Sequence, residues 1–333
     1  MYDLSKVVVT SSPHIKSDED TRSVMFDVII ALLPALAVAF YTFGARALVI
    51  TCAAVIACVL GEYLYCRAVG REPTIGDCSA VVTGLLLAYN VPVTAPIWMP
   101  VLGGLFAIII VKMLFGGIGK NFINPAIGGR AFMMACWPAL MTAFVNPHTS
   151  MSPIGSTADV VTSATPLAAL KTGTLADVTL LDMLLGQTGG VIGETCALAL
   201  IAGGIYLLVR KVITINIPAA YILTVAVLTF LFPMGGQPRL EWMLSQVLSG
   251  GLMLGAIFMA TDYATSPVTP KGQVIFGVGC GLLTVFIRYF GGLPEGVSYS
   301  IMIMNALVWA IDAYTHPRKF GYPAKAAKKE AQG

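Results

Sequence analysis

The residues best suited to chemistry lie in an irregular stretch between hydrophobic blocks, "DVVTSATPLAAL" (Asp159–Leu170). There Thr162, Ser163 and Thr165 present hydroxyls close to Asp159, and the run closes on a Thr165-Pro166 step. A threonine at the N-cap with proline at the first helical position is a common helix start, the hydroxyl accepting from an unpaired backbone N–H. The same geometry suits a second chemistry. Free N–H groups at a helix start favour phosphate, so an ester joining Thr165 to a phosphorylated group would be well placed. The residues alone leave both readings open. Ala264-Thr265-Ser266-Pro267 repeats nearly the same letters and reads as a loop or broken helix. Asp262 beside it is either a solvated helix-end acid or a group lining an ion or cofactor path.

Two further motifs place polar groups among apolar ones. "NPAIGGRAF" sets Arg130 six residues after Asn124, inside a hydrophobic run. A charge at membrane depth is costly and faces a protein interior or a polar ligand. Arg130 is therefore a contact to a cofactor's phosphate or carbonyl groups, or one half of an interior salt bridge, and Asn124 is a candidate from the same motif. Gly128 and Gly129 admit either a flat ring or a closely packed helix. "GGVIGETC" brings Glu194 to a glycine-rich helix start, as a hydrogen-bond acceptor for a ligand, a cation relay, or an acid complementing a helix dipole. Asp27, Glu62 and Asp77 are other carboxylates near apolar runs. Asp27 and Glu62 fall near span ends, so interfacial solvation is the expectation for them. His14, His148 and His316 share no ligand spacing, and the seven cysteines form no close pair. No protein metal site and no disulfide framework are expected.

The elements that must position these groups follow from composition. Hydrophobic residues make up 57% of the chain and charged ones 11%, with mean hydropathy +0.82. A soluble domain carries roughly 25% charged residues. The chain is expected to be an all-α polytopic membrane protein, and its net charge of +3 gives no reason to expect a nucleic-acid partner. Met1–Arg22 is polar and lacks a signal-peptide core. A helix needs about 20 apolar residues to cross a bilayer, which predicts spans near 24–43, 46–66, 77–90, 97–116 and 122–145, then 189–209, 213–233, 242–261, 273–290 and 296–314. The 77–90 stretch is short and precedes Pro92 and Pro96, as a broken or re-entrant element would. Arg67, Arg71, Lys112, Lys120, Arg210, Lys211 and the basic tail fall on one side, with Arg46, Lys171, Arg239 and Arg288 on the other. The positive-inside rule makes the richer side cytoplasmic, with both termini, and puts the Thr165 loop outside. Trp98 and Trp242 fit an interfacial belt.

"VKMLFGGIGKNFINPAIGGRAFM" (Val111–Met133) and "IRYFGGLPEGVSYSIMIMN" (Ile287–Asn305) echo one another through Phe-Gly-Gly and a following apolar helix. Two inverted five-helix repeats explain the echo, as does chance in a chain of 34 glycines. The expected organisation is an N-terminal segment over 1–22, one repeat over 23–145, the motif-bearing loop over 146–188, a second repeat over 189–314 and a basic tail over 315–333.

The chain resembles the RnfD/NqrB family, which holds the RnfD subunits of Rnf complexes and the NqrB subunits of the sodium-pumping NADH:quinone oxidoreductase. The resemblance runs through "SSPHIKS", "DVIIALLPA", "NPAIGGRAF", "GETC" and "FMATDYATSP" and covers essentially the whole chain. It implies an FMN joined by a phosphodiester to Thr165. In Asp159-Val-Val-Thr162-Ser163-Ala164-Thr165, Asp159, Ala164 and Thr165 match the family's attachment pattern, while Val160, Thr162 and Ser163 depart from it. It implies a fold similar to urea transporters, a bound riboflavin as a second flavin, and attachment by a flavin transferase. It further implies a bacterial or archaeal cytoplasmic membrane and an assembly that moves electrons between ferredoxin and NAD while translocating Na⁺ or H⁺. The implied partners are other Rnf subunits carrying a second FMN, iron–sulfur clusters and the NAD site, together with membrane lipid. The NqrB subunit of the quinone-reducing pump, and a small-solute transporter or channel without a redox cofactor, are the alternatives.

Overall fold

The computed structural model describes residues 20–149, 151–154, 165–175, 178–194, 196–292 and 295–316. Asp159, Thr162 and Ser163 lie outside them. Regular structure among the described residues is helical, apart from one isolated bridge between Pro92 and Val191.

Helix α1 (Thr21–Phe43) starts on a capping box between Asp20 and Ser23 and ends on Gly44 at φ 72°. That glycine reverses the chain without a loop, so α2 (Ala45–Val69) begins at once and closes on left-handed Gly70. Helix α3 (Ser79–Tyr89) is only eleven residues long and gives way to a buried, non-helical stretch at Asn90–Ala95. The broken element expected there is observed. Helix α4 (Trp98–Leu105) runs on as π-helix through Phe106–Met113. Asn124 caps α5 (Pro125–Cys136) by accepting from the Ala126 and Ile127 N–H groups. The single span expected over 122–145 divides at Trp137, because Pro138 lacks a donor and starts the four-residue α6 (Pro138–Met141).

Two short helices, α7 (Pro166–Lys171) and α8 (Leu180–Leu185), fill the middle of the chain. Then follow α9 (Ala197–Val209), α10 (Asn216–Leu231), α11 (Arg239–Leu248) and α12 (Leu252–Leu254), which continues as π-helix through Gly255–Met259. Gly250 and Gly251, at φ 73° and 64°, bend α11 against α12 by 61°. Helices α13 (Pro270–Phe290) and α14 (Val297–Thr315) complete the bundle.

By length and hydropathy α1, α2, α13 and α14 each suffice to cross a membrane, and the bent α11–α12 pair makes a fifth; α3, α4, α9 and α10 are shorter apolar helices. The protein is thus a multi-pass helical membrane protein, with exposed apolar side chains such as Ile56, Leu64, Phe286 and Trp309 on its perimeter. Helix α2 packs on α3 and α4, α10 packs on α11 and α13, α1 packs on α9 and α5 packs on α14.

Three expectations about polar and aromatic residues are corrected. Glu62 is fully buried rather than interfacial, and Lys112, also buried, reaches it at 2.7 Å and Ser79 Oγ at 2.6 Å. Lys112 therefore belongs to the interior and does not count among surface charges. Asp27 accepts from Tyr206 Oη at 2.8 Å and pairs with Arg210 at 3.1 Å, so it too is partnered by protein. Trp242 is fully buried and not part of an interfacial belt, whereas Trp98 is half exposed.

Candidate functional site

Thr165 adopts the cap conformation its sequence predicts: extended backbone at φ −75°, ψ 156°, with Oγ1 accepting from the Ala168 N–H at 3.2 Å. The helix it caps is one and a half turns long and cannot hold itself in place. Leu167 and Leu170 seat α7 on Trp242, whose indole N–H donates to Tyr289 Oη at 2.9 Å.

This seating brings Thr165 to the wall of a cavity of about 610 Å³, open mouth included, which Arg130, Glu194, Glu295, Ser298 and Tyr299 also line. Arg130 projects from the middle of α5 and is 4% exposed. Its guanidinium donates to Asn90 Oδ1 at 2.8 Å and Ser298 Oγ at 2.7 Å, and pairs with Glu295. Of the two readings of Arg130, the interior salt bridge is the one observed, and the side chain also lies on the cavity wall.

Glu194 is positioned by backbone pairing. Ile192 N–H donates to Val91 O at 3.1 Å and Gly193 N–H to Tyr89 O at 2.9 Å, zipping the two residues before Glu194 to the end of α3 and its broken tip. A Cβ on Gly193 would overlap the Tyr89 side chain, so the motif's glycine is required by close approach. Gly128 and Gly129 serve helix packing, against Val111 and against Gly103 and Leu87.

Asn124 and Asp262 stand apart from Thr165. They line a second cavity of about 770 Å³ with Lys112, Asn121 and the first turns of α1. Asp262 caps the loop after the second π-helix, accepting from Ala264 N–H at 3.2 Å and Thr265 Oγ1 at 3.3 Å. Thr265 is buried, and its segment is the loop its sequence predicted. Asn124, on the wall of the second cavity, also donates from Nδ2 to Met259 O at 3.3 Å. Both cavities border α5: Asn124 and Pro125 at its start line the second, and Arg130, Ala131 and Met134 further along line the first. Among the described residues no group of three or more His, Cys, Asp or Glu could hold a metal ion.

Glu295, Ser298 and Asn90 were not singled out from the sequence. The signal available was Arg130 itself, since a buried guanidinium requires an anionic or carbonyl partner. It did not say which.

The fold, with two cavities that set a few polar groups among apolar walls, defines a polytopic membrane protein. The chain belongs to the NQR2, RnfD, RnfE family, whose model matches residues 8–321. It is 48% identical to the D-type subunit of the Na(+)-translocating ferredoxin:NAD(+) oxidoreductase complex of Acetobacterium woodii, over 98% of both chains. It is 41% identical to the corresponding subunit of the proton-translocating ferredoxin:NAD(+) oxidoreductase complex of Clostridium ljungdahlii, over 94% of this chain and 96% of that one. It is 35% identical to the corresponding subunit of the ion-translocating oxidoreductase complex of Actinobacillus succinogenes, over 94% and 98%.

Proposed function

We propose that this protein is the flavin-bearing membrane subunit of an ion-translocating ferredoxin:NAD⁺ oxidoreductase complex, with FMN esterified to Thr165. The relatives' names support membership of such a complex. The observation that carries the flavin reading is the meeting of Thr165 and Arg130 at one cavity.

The residues present fit a phosphorylated flavin. Arg130 supplies positive charge and directional donors for a phosphate or ring carbonyl, and Ser298 supplies a hydroxyl. Leu167, Met134 and Phe144 give apolar walls for a flat ring. Glu295 holds the guanidinium in place through their pair. A bound isoalloxazine carries electrons singly or in pairs and so relays between centres of different capacity. The protein's part is to tether it, orient it and limit its contact with water.

The second, larger cavity is our place for a noncovalent riboflavin, with Asn121, Asn124 and Asp262 offering polar contacts between apolar walls. Thr165 opens to the extracytoplasmic side and both termini are cytoplasmic, on the charge bias of the loops. The ten-span inverted repeat is supported by the order of elements. Helices α1 to α5 correspond in turn to α9, α10, α11–α12, α13 and α14, and the two Phe-Gly-Gly segments then fall at equivalent links.

Mass spectrometry of the peptide spanning Asp159–Lys171 from native membranes tests the tether: an FMN-sized increment on Thr165 is expected. In-gel flavin fluorescence after denaturation should show a band that Thr165→Ala abolishes. An unmodified peptide from cells that make the flavin transferase would overturn this reading and favour a solute transporter.

A further inference from the structure

We propose that Lys171 is the positioning residue of the Thr165 cavity, clamping together two of the segments that line it. The inference rests on the flavin reading above. It concerns what sets the pose of the tether, which neither the attachment motif nor the family match addresses.

Lys171 ends α7, six residues after Thr165. Its ammonium donates to Gly291 O at 2.8 Å and Gly292 O at 2.5 Å, bridging about 120 residues of chain. Those carbonyls follow the last turn of α13 and begin the link that carries Glu295, the partner of Arg130, to the cavity. One cation thus joins the helix bearing the tether to the link bearing the carboxylate that orients the guanidinium. The alternatives for holding this geometry are weak. Helix α7 is too short to be stable alone. Leu167 and Leu170 bind it to Trp242 through non-directional apolar contact, which resists lifting more than sliding or rotation. A further polar tie beyond the helix is a long hydrogen bond of 3.4 Å from Gln237 Nε2 to Gly173 O. Lys171 supplies two charge-assisted bonds, the stronger kind, at the end of α7 opposite Thr165, where a small shift is carried directly to the cap.

The test uses the assembled complex in native membranes. Lys171→Met keeps the length and apolar stem of the side chain and removes the cation; Lys171→Arg restores a cation with donors. For each, the fluorescence anisotropy of the Thr165-linked flavin and its collisional quenching by iodide are measured, alongside in-gel fluorescence for attachment. We expect the Met variant to retain the flavin band, to lose anisotropy and to be quenched at least two-fold more strongly, with Arg returning both toward wild type. If the Met variant fails to assemble, Lys171→Gln, which keeps one amide donor on a shorter arm, carries the same comparison. A fluorescent band with unchanged anisotropy and quenching overturns the clamp, as does an Arg variant no better than Met. A wild-type protein with no flavin band refutes the underlying reading instead, so the two failures are distinct.

Discussion

Arg130 Nη1 and Asn90 Oδ1 meet at 2.8 Å, joining the middle of α5 to the point where α3 breaks. Asn90 in turn donates to Leu86 O at 2.6 Å, so the amide spans the end of one helix and the charge of another. The pairing explains why an arginine is tolerated at this depth: Asn90, Ser298 and Glu295 all accept from its guanidinium.

Arg130→Met should cost about 3–5 kcal/mol, the range for breaking a buried ion pair and leaving its partner uncompensated. Arg130→Lys should recover only part, since its three donors sit on one nitrogen and do not span acceptors that the guanidinium fork reaches from Nη1 and Nη2. Thermal unfolding of the detergent-solubilised complex reads both. A Lys variant as stable as wild type would contradict the forked geometry.

The Lys112–Glu62 pair makes a sharper case. Lys112→Met alone should destabilise by about 3–5 kcal/mol, while Lys112→Met with Glu62→Leu should be far milder, since replacing both charges by apolar groups is often near neutral. A double-mutant cycle on melting temperature checks this. Additive losses would mean that the charges do not act on one another.

Gly193→Ala should lower stability by about 1–3 kcal/mol, the cost of forcing extra volume into a packed site, because its methyl would overlap Tyr89. Gly190→Ala is the control. The nearest atom to a Cβ there lies at 3.6 Å, an ordinary contact, so its melting temperature should not change.

Trp242→Ala should loosen α7 locally, removing its apolar seat at a cost of about 3–5 kcal/mol. Hydrogen exchange at Ala168–Lys171 should accelerate, while amides in the middle of α13 remain protected. Exchange at α7 equal to that of the wild type would show that the helix does not depend on this residue.

Much of this was readable from local pattern. The capped start at Thr165-Pro166, the break after α3 and the loop at Ala264–Pro267 were all legible, because each depends on neighbours within a few residues. Arg130 was marked as exceptional by its apolar surroundings. The pairing of Lys112 with Glu62, 50 residues apart, was not legible. Each residue sits near a span end, where solvation is the ordinary expectation. Trp242 misled for a related reason: hydropathy places an aromatic near an interface but does not know that α7 folds back over it.

The sequence by itself determined that the chain is helical and membrane-embedded, roughly where its helices run, and that Thr165 caps one of them. Those properties arise from side-chain hydropathy and short-range hydrogen bonding. Only the tertiary structure decided that Thr165, Arg130 and Glu194 share one cavity while Asn124 and Asp262 belong to another. It also brought in Glu295 and Lys171, because a buried charge specifies that it needs a partner, and the packing of distant helices specifies which one.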